Sequence, residues 1–566
     1  MSSDTPVPTS SSSHPHPHPH PHPHPHPFIA KLASAAMLRR SSRFLCLGLT
    51  AGFLFFYFGT RSVAYDPYTP PRAGLVRGQA GSGGGESGLS WGAWLGMGTG
   101  SSELWGDVPV QAEEEFWPWL KAENERLEPG KRRVSWGALR EQGAKSTIWE
   151  NLRQDQRYLT TFLSSGFTNE FIMIVNLIHL AHLSDRIPIL PALNADSGHL
   201  LSDAHDLAVS EVFDMSQLSL HLGDLPIVEL HELKTSNYLP DRLKVVVYDE
   251  EVAQADVHGR RLSIGDMIAA AHPAEEEIGC WSWFQGHGEP GGVWGSWWHR
   301  KPAAQYTPIP HEVYDNGNHA QGGSDIVRLG RFLRHAAGIP DQSLGILKEY
   351  EFPVPTIQPS AQLACVDMVY FYMEQCRRWD LLEEWDSGAG AWAAVGKHMR
   401  FQPGLVGLAE DYLRHAFGVP AGEPLPLYFS VHIRRGDFGQ EWLELSPDNF
   451  AFAAWEIMQK VKNQLGIHIQ HVIVTSDNQD PGWIEPLVSY GWHFVNHEAA
   501  RTSERFGHWV PTLLDAVMLG GAKGFLGVRQ STMSIVAMRR VIDWNGGVGG
   551  MVDLNHKVPE DWAWSW

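Results

Sequence analysis

The stretch at residues 427–438 constrains the fold of this chain more than any other. It is an apolar, β-rich run that ends abruptly in Arg434, Arg435, Gly436 and Asp437. Such a run predicts a buried strand that carries cations at its carboxyl end. In open α/β sheets ligands bind outside those strand ends, and two planar guanidinium groups suit the oxygens of a pyrophosphate. The alternative interpretation is a strand end with a surface Arg–Asp pair.

The rest of the second half alternates predicted helices with predicted strands. Helices are expected at residues 398–417, 446–464, 483–490, 510–519 and 530–540, and strands at residues 471–477, 492–495 and 524–527. This alternation predicts an α/β fold with a doubly wound parallel sheet. Asp477, Asp515 and residues 531–534 fall at strand ends or helix starts and could converge on one nucleotide. Each of them is alternatively an ordinary cap or turn residue.

The first half contains one similar unit. Residues 164–170 predict a turn that opens a helix at residues 171–184, and a short buried strand follows at residues 186–191. The free amides at the start of that helix could hold a ligand group. His179 and His182 could bind a metal, but no third ligand is in view, so core or interface histidines are expected. The tryptophan-rich insertion at residues 281–298 predicts either a sugar-stacking loop or ordinary loop packing.

The amino-terminal region predicts an anchor and a tether. Residues 1–43 form a polar tail with a His-Pro tract, which cannot build a core and is expected to be disordered. Residues 44–60 are uncharged and mostly apolar, and Arg39, Arg40 and Arg43 precede them. This pattern predicts a single type II span with the bulk of the chain in the lumen of the endoplasmic reticulum or Golgi. A cleaved signal peptide is the alternative, and residues 61–145 predict a stem.

Composition excludes some classes of protein and leaves a redox question open. A chain of 566 residues is too long for one core, so two domains are expected. The net charge of −20 argues against a nucleic-acid binder. Cys46 lies in the predicted span, so at most one disulfide can form among Cys280, Cys365 and Cys376. The sequence does not choose the pair, and all three could be free thiols.

Three separated blocks resemble the O-fucosyltransferase superfamily of GDP-fucose-dependent enzymes. Residues 432–438, His-Ile-Arg-Arg-Gly-Asp-Phe, look like the family's central arginine motif. Residues 166–170, Gly-Phe-Thr-Asn-Glu, look like its amino-terminal block. Asp515, residues 524–527 and residues 531–534 look like its carboxyl-terminal block, where the family usually has Phe in place of Met533. The likeness covers residues 160–215 and 398–545, and residues 216–395 do not clearly match.

The resemblance implies a GT-B architecture, in which two Rossmann-like domains face each other across a cleft. We expect these domains at residues 146–395 and 396–566, preceded by the single transmembrane helix. The donor would lie mainly on the carboxyl-terminal domain. Family enzymes invert the anomeric centre and need no metal or other cofactor. The absence of an Asp-x-Asp triplet from the sequence agrees with this expectation.

The resemblance also assigns roles in donor binding. Arg434 would neutralise the charge that develops on the β-phosphate of GDP, and His432 would line the same pocket. Asp437 and Asp515 would hold guanine or ribose. The hydroxyl groups of Ser531 and Thr532 would donate to phosphate oxygens. The remaining donor contacts are expected from Asp477, Met533, Gly166 and Phe167.

The acceptor end of the predicted site is less defined. Asn169 would lie near the reacting sugar. Some relatives carry a glutamate where this chain has Ser165, and Glu170 is the nearest carboxylate. Glu170 is therefore the candidate base, unless the acceptor proton leaves late through water or phosphate. The predicted function is transfer of fucose from GDP-fucose to a hydroxyl, with protein Ser/Thr as the expected acceptor. The alternatives are a glycan-directed fucosyltransferase and a catalytically silent, membrane-tethered nucleotide-sugar or glycan binder.

Overall fold

The structure is a computed structural model, which describes residues 113–128, 134–163, 166–193, 206–234, 278–282, 304–308, 329–330, 332–334, 362–366, 369, 390–420, 422–436, 443–478, 480–555, 557–564 and 566. The predicted tail at residues 1–43 and the predicted span at residues 44–60 lie outside these ranges. Within these ranges, no helix combines the length and the apolar character needed to cross a membrane.

The described ranges contain both helices and strands. The strands are β1 Tyr158–Thr160, β2 Ile187–Leu190, β3 Val228–Glu229, β4 Ile278–Ser282, β5 Ala304–Pro308, β6 Leu363–Val366, β7 Phe429–Ile433, β8 Val472–Ser476, β9 His493–Phe494, β10 Gly524–Val528 and β11 Val548–Val552. The helices are α1 Glu113–Leu127, α2 Ile148–Asn151, α3 Phe167–Ser184, α4 Val209–Val212, α5 Met215–His221, α6 Leu230–Leu233, α7 Ala391–Ala394, α8 Pro403–Phe417, α9 Pro447–Leu465, α10 Pro481–Ser489, α11 Thr502–Phe506, α12 Val510–Gly520 and α13 Thr532–Asn545.

The five carboxyl-terminal strands form one parallel sheet in the order β11-β10-β7-β8-β9. The chain runs outward from β7 through β8 and β9, and then crosses back to β10 on the other side of β7. The topological switch point therefore lies between β7 and β10, where ligands of open α/β sheets bind. All residues of β7 and β10 are buried, as expected for central strands of a parallel sheet. The predicted parallel α/β sheet is confirmed.

The first six strands form a second sheet in the order β3-β2-β1-β6-β4-β5, and the recorded pairs are parallel. Cys280 on β4 lies directly opposite Cys365 on β6, and the two cysteines form a disulfide. The sequence left this pairing open because the register of the two strands decides it. Of the tryptophan-rich insertion, Trp281 packs edge-on against Phe332 in the core, and the other tryptophans lie outside the described residues.

Two helices have ends that differ from the predicted ones, and in both the capping residue sets the end. The helix expected to begin at residue 171 begins at Phe167, because the extended backbone of Gly166 is its amino-terminal cap. The helix expected to end at residue 540 continues to Asn545 and stops where Gly546 adopts a left-handed conformation with φ of 55°. Other predicted helices and strands of the second half are displaced by only a few residues.

The helix α1 lies inside the segment that composition assigns to a stem. Its Phe116 and Leu120 are 0% and 1% exposed and belong to the main hydrophobic core. Phe116 contacts Phe506 of α11, with ring centroids 5.2 Å apart. The side chain of Asn124 accepts a hydrogen bond from the amide of Gly404 at the start of α8. Residues 113–127 therefore pack as part of the folded body.

Candidate functional site

Arg434 and Asp477 form an ion pair at the carboxyl ends of two adjacent strands. Arg434 directly follows β7 and Asp477 directly follows β8, so the parallel register brings them together. Arg434 Nη1 donates to Asp477 Oδ2 over 2.7 Å. The side chains of Arg434 and Asp477 are 28% and 24% exposed. A partly exposed guanidinium at this edge remains within reach of a ligand.

Asp477 also holds the backbone of the turn that follows β7. Its Oδ1 accepts from the amide of Arg435 over 2.7 Å, and its Oδ2 accepts from the amide of Gly436 over 2.9 Å. A Cβ atom at position 436 would lie 2.8 Å from Asp477 Oδ2, so any larger residue would require the carboxylate to shift. Three hydrogen bonds from one short segment make Asp477 a residue that fixes Arg434 and its turn.

Arg435 makes a different set of contacts. Its guanidinium donates to the backbone oxygens of Leu445 and Leu443 at 2.8 and 3.1 Å, and it lies 4.5 Å above the ring of Trp483. These contacts connect the turn after β7 to the segment that contains Leu443 and Leu445 and to the helix α10. Of the two neighbouring arginines, Arg435 therefore has the contacts of a structural residue.

His432 and Ser534 connect the two strands at the switch point. His432 lies on β7, and its Nδ1 is 2.7 Å from the hydroxyl of Ser534 in the first turn of α13. That hydroxyl already accepts a hydrogen bond from the amide of Val528 at the end of β10. Among the described residues His432 Nδ1 is the only partner that can accept its single proton, so the proton is assigned to this contact. This arrangement makes Nδ1 an acceptor and leaves the imidazole proton on Nε2.

The surroundings of His432 keep it uncharged. Burial lowers the pKa of His432 from 6.5 to about 4, and the charge of Arg434 adds to the effect. The carboxylates of Asp477 and Asp515 act on His432 in the opposite direction. All three charged groups therefore lie within electrostatic range of one imidazole. Their convergence on a nucleotide stays a prediction.

The start of α13 lies close to the end of β10. A Cβ atom at Gly527 would come within 2.5 Å of Ser534 Cβ, so the glycine permits this contact. Ser531 is the cap residue of the helix and is 6% exposed, and Thr532 is the first helical residue. No acidic residue occupies the first turn. The helix start, with its unpaired backbone amides, suits an anionic group at the switch point.

The amino-terminal half reaches this region through α3. Thr168 contacts Met533, with its hydroxyl 3.4 Å from the sulfur. Phe167, one residue earlier, packs against Phe213 and Trp509. The two sequence blocks are more than 360 residues apart, and the fold places the start of α3 against the start of α13.

The two predicted acceptor-side residues differ in exposure. Asn169 is partly buried, and its Oδ1 is buried without a hydrogen bond to any described residue. Glu170 is completely buried in the first turn of α3. A general base must come within hydrogen-bond reach of the acceptor hydroxyl. The assignment of Glu170 as a base therefore stays a prediction that requires its carboxylate to become accessible.

Asp515 lies in a hydrogen-bonded chain that the sequence did not predict. Its Oδ1 is 3.0 Å from Nε2 of His497, which follows β9. His497 Nδ1 is 3.1 Å from the Thr502 hydroxyl, and this hydroxyl is 2.7 Å from the hydroxyl of Tyr412 on α8. A lone histidine after a two-residue strand gives no sequence signal, because its partners come from three separate segments.

Some predictions lie outside the described residues or are only partly placed. Asp437 and Ser165 lie outside them. His179 is a buried residue of α3, 3% exposed. Within the described ranges, no three His, Cys, Asp or Glu side chains are grouped in a way that could hold a metal ion.

Comparison with known proteins gave distant structural similarities. No protein-family model matches the chain, and no curated protein matches it. The crystal structure of POFUT1 in its apo form is similar over 71% of this chain and 99% of that chain, with 12% identity and a TM-score of 0.38. A mutant of Arabidopsis thaliana FUT1 in complex with GDP is similar over 79% of this chain and 80% of that chain, with 12% identity and a TM-score of 0.33.

A third structure is NodZ alpha-1,6-fucosyltransferase soaked with GDP-fucose. The similarity spans 68% of this chain and 93% of that chain, with 10% identity and a TM-score of 0.28. Similarity at these values does not establish a shared family or activity.

Proposed function

We propose that this protein is an inverting, metal-independent glycosyltransferase with a GT-B architecture, which transfers fucose from GDP-fucose to an acceptor hydroxyl. The observation that carries the proposal is Arg434 at the switch-point edge. Its guanidinium is fixed by Asp477, whereas that of the neighbouring Arg435 is engaged with backbone oxygens. The choice of fucose as the sugar and GDP as the nucleotide rests on the three sequence blocks that resemble O-fucosyltransferases. Protein Ser/Thr is the proposed acceptor.

In this proposal the leaving group is stabilised by fixed charges and dipoles. Cleavage of the fucose–phosphate bond puts negative charge on the β-phosphate, and Arg434 neutralises it as it develops. Asp477 keeps the guanidinium in place before the donor arrives, so little reorganisation accompanies the reaction. Ser531, Thr532 and the start of α13 hold phosphate oxygens. The neutral His432 offers Nε2–H as a donor and does not act as a base at this nitrogen.

The acceptor proton follows one of two routes. Glu170 takes it if the first turn of α3 moves to expose the carboxylate. Otherwise the proton leaves late, through water or a phosphate oxygen. Asn169, with its unsatisfied Oδ1, accepts a hydrogen bond from the sugar or the acceptor. A Glu170→Gln variant separates the routes, because only the first route loses turnover by about a hundredfold or more.

We also propose that the chain is a type II membrane protein of the endoplasmic reticulum or Golgi. The basic residues before residues 44–60 support this orientation. The disulfide between Cys280 and Cys365 supports an oxidising compartment. Protease treatment of sealed microsomes tests the orientation with a carboxyl-terminal tag. The tag is expected to survive without detergent, and its digestion would contradict the proposal.

The donor is tested by calorimetry on the full-length chain in detergent. GDP is expected to bind equally well with and without a chelator of divalent cations, and more tightly than UDP. A panel of GDP- and UDP-sugars, with nucleotide release as the readout, then identifies the sugar. Loss of GDP binding in chelator, or a preference for UDP, would overturn the donor assignment.

A catalytically silent nucleotide-sugar binder is the second candidate, and the burial of Glu170 favours it. It predicts GDP binding without release of GDP from GDP-fucose under any acceptor tested. A glycan-directed enzyme would instead release GDP with oligosaccharide acceptors and not with peptides. Peptide and oligosaccharide acceptor libraries, assayed side by side, separate the three outcomes.

A further inference from the structure

The hydrogen bonds that lead from Tyr412 through Thr502 and His497 to Asp515 can all be donated in the same direction. Burial raises the pKa of Tyr412 to about 12, so its hydroxyl keeps its proton at neutral pH. If Tyr412 donates to Thr502, the Thr502 hydroxyl donates to His497 Nδ1, and His497 Nε2–H donates to Asp515 Oδ1. In this direction Thr502 and His497 each accept one hydrogen bond and donate one, and Asp515 accepts the last.

This hydrogen-bonded series connects two buried hydroxyl groups to a partly exposed carboxylate. Tyr412 and Thr502 are 4% and 0% exposed, whereas the side chains of His497 and Asp515 are 19% and 23% exposed. Asp515 Oδ2 has no hydrogen bond to any described residue, and Asp515 acts electrostatically on His432 at the switch point. The carboxylate is therefore held at Oδ1 by His497, while Oδ2 and the second acceptor site of Oδ1 remain available near the proposed donor pocket.

We infer that His497 is a positioning residue that sets nucleobase specificity by fixing Asp515 against the guanine of the donor. This inference rests on the proposed function. Guanine presents two adjacent donors, N1–H and the N2 amino group, and a carboxylate is the acceptor that matches both. An Asp515 free to rotate would lose this match, because its fixed orientation depends on the His497 contact.

The inference is tested by GDP and inosine diphosphate (IDP) binding to the full-length chain. IDP lacks the N2 amino group and is otherwise identical. The unmodified chain is expected to bind GDP about tenfold or more tightly than IDP, because one charge-assisted hydrogen bond is lost. His497→Asn, which keeps a polar group near Thr502 but does not reach Asp515, is expected to reduce that ratio to within about threefold.

His497→Gln is the matched variant, since its Nε2 reaches the position of the imidazole Nε2. It should keep the GDP preference within about threefold of the unmodified chain. Thr502→Val removes the hydroxyl that orients the imidazole without changing side-chain size, and it should act like His497→Asn. Tyr412→Phe leaves the three groups nearest Asp515 in place and should change the ratio by less than about twofold. In transfer assays, His497→Asn should raise the donor KM and leave kcat within about threefold.

Each outcome decides between the two proposals. Equal binding of GDP and IDP by the unmodified chain, or an unchanged GDP preference in folded His497→Asn and Thr502→Val, would overturn the role of His497 and leave the proposed function standing. Absence of GDP binding by the unmodified chain would overturn both. If His497→Asn does not fold, Thr502→Val and His497→Gln decide, with circular dichroism as the folding control.

Discussion

The carboxyl edge of the five-stranded sheet and the start of α3 were both predicted to carry functional residues, yet they are built differently. At the sheet edge, predicted residues are held by side-chain partners, as in the pairs Arg434–Asp477 and His432–Ser534. At the start of α3, Glu170 is buried and the side chain of Thr168 makes the contact with Met533. Polar side-chain pairs are thus concentrated at the sheet edge, whereas the start of α3 contributes a packing contact with the start of α13.

The variant expected to have the largest effect is Arg434→Ala. Removing a preorganised charge at the leaving group typically costs about 3–4 kcal/mol of barrier, or about a hundredfold to a thousandfold in rate. We expect kcat to fall by that factor and GDP affinity to fall much less. Arg434→Lys should not restore the rate fully, because an ammonium cannot form the planar two-pronged contact. Normal turnover in a folded Arg434→Ala protein would locate the leaving-group contact elsewhere.

The second test measures how strongly the edge is desolvated. The pKa of His432 is about 4 in the folded protein against 6.5 for an ordinary histidine. Between these values the unfolded chain binds a proton that the folded chain does not. The contribution of His432 to the free energy of unfolding is therefore fully present above pH 6.5. It is lost as the pH is lowered toward 4, and the loss amounts to about 3 kcal/mol.

Chemical unfolding of the unmodified chain and of His432→Gln at pH 7 and pH 4.5 isolates this contribution. The comparison is needed because His398 also has a pKa lowered to about 4, by burial and by its positive neighbours. The variant should lose less stability on acidification than the unmodified chain. Equal losses would mean that His432 is not held neutral in solution.

The third test uses the neighbouring arginine as a matched control for Arg434. Arg435→Ala removes two hydrogen bonds to backbone oxygens and the contact with Trp483. We expect the free energy of unfolding to fall by about 1–3 kcal/mol, with turnover of the folded fraction within about threefold. Thermal unfolding and activity are measured on the same samples. A stable but inactive Arg435→Ala protein would reverse the roles of the two arginines.

The smallest expected effect is at the contact between the two halves. Thr168→Val removes the hydroxyl near Met533 and keeps the size of the side chain. Because a hydrogen bond to a thioether is weak, we expect the donor KM to change by less than about threefold, or under about 1 kcal/mol. Met533→Phe, which introduces the residue usual in the resembled family, should also be tolerated. A tenfold effect of either change would show that α3 takes part in donor binding directly.

Local patterns predicted most of the carboxyl-terminal sheet, because alternation and strand-end chemistry are local properties. The strand before Arg434 and the helix that begins near Ser531 are examples. The sequence could not predict that Asp477 would hold Arg434, since that contact depends on the register between β7 and β8. His497 was missed because its hydrogen-bonded chain draws on residues from separate segments of the fold. Glu170 was assigned from its position in a motif, and a motif contains no information on burial.

The helix α1 also has a consequence for how the protein is made. Asn124 accepts a hydrogen bond from Gly404, which is 280 residues later in the chain, and Phe116 packs against Phe506. During synthesis α1 emerges first and must wait for α8 and α11 before its apolar face is covered. Long-range contacts of this kind slow folding and leave apolar surface available for chaperones. A fragment beginning at residue 146 would lack this helix, and it should aggregate more readily than the complete chain.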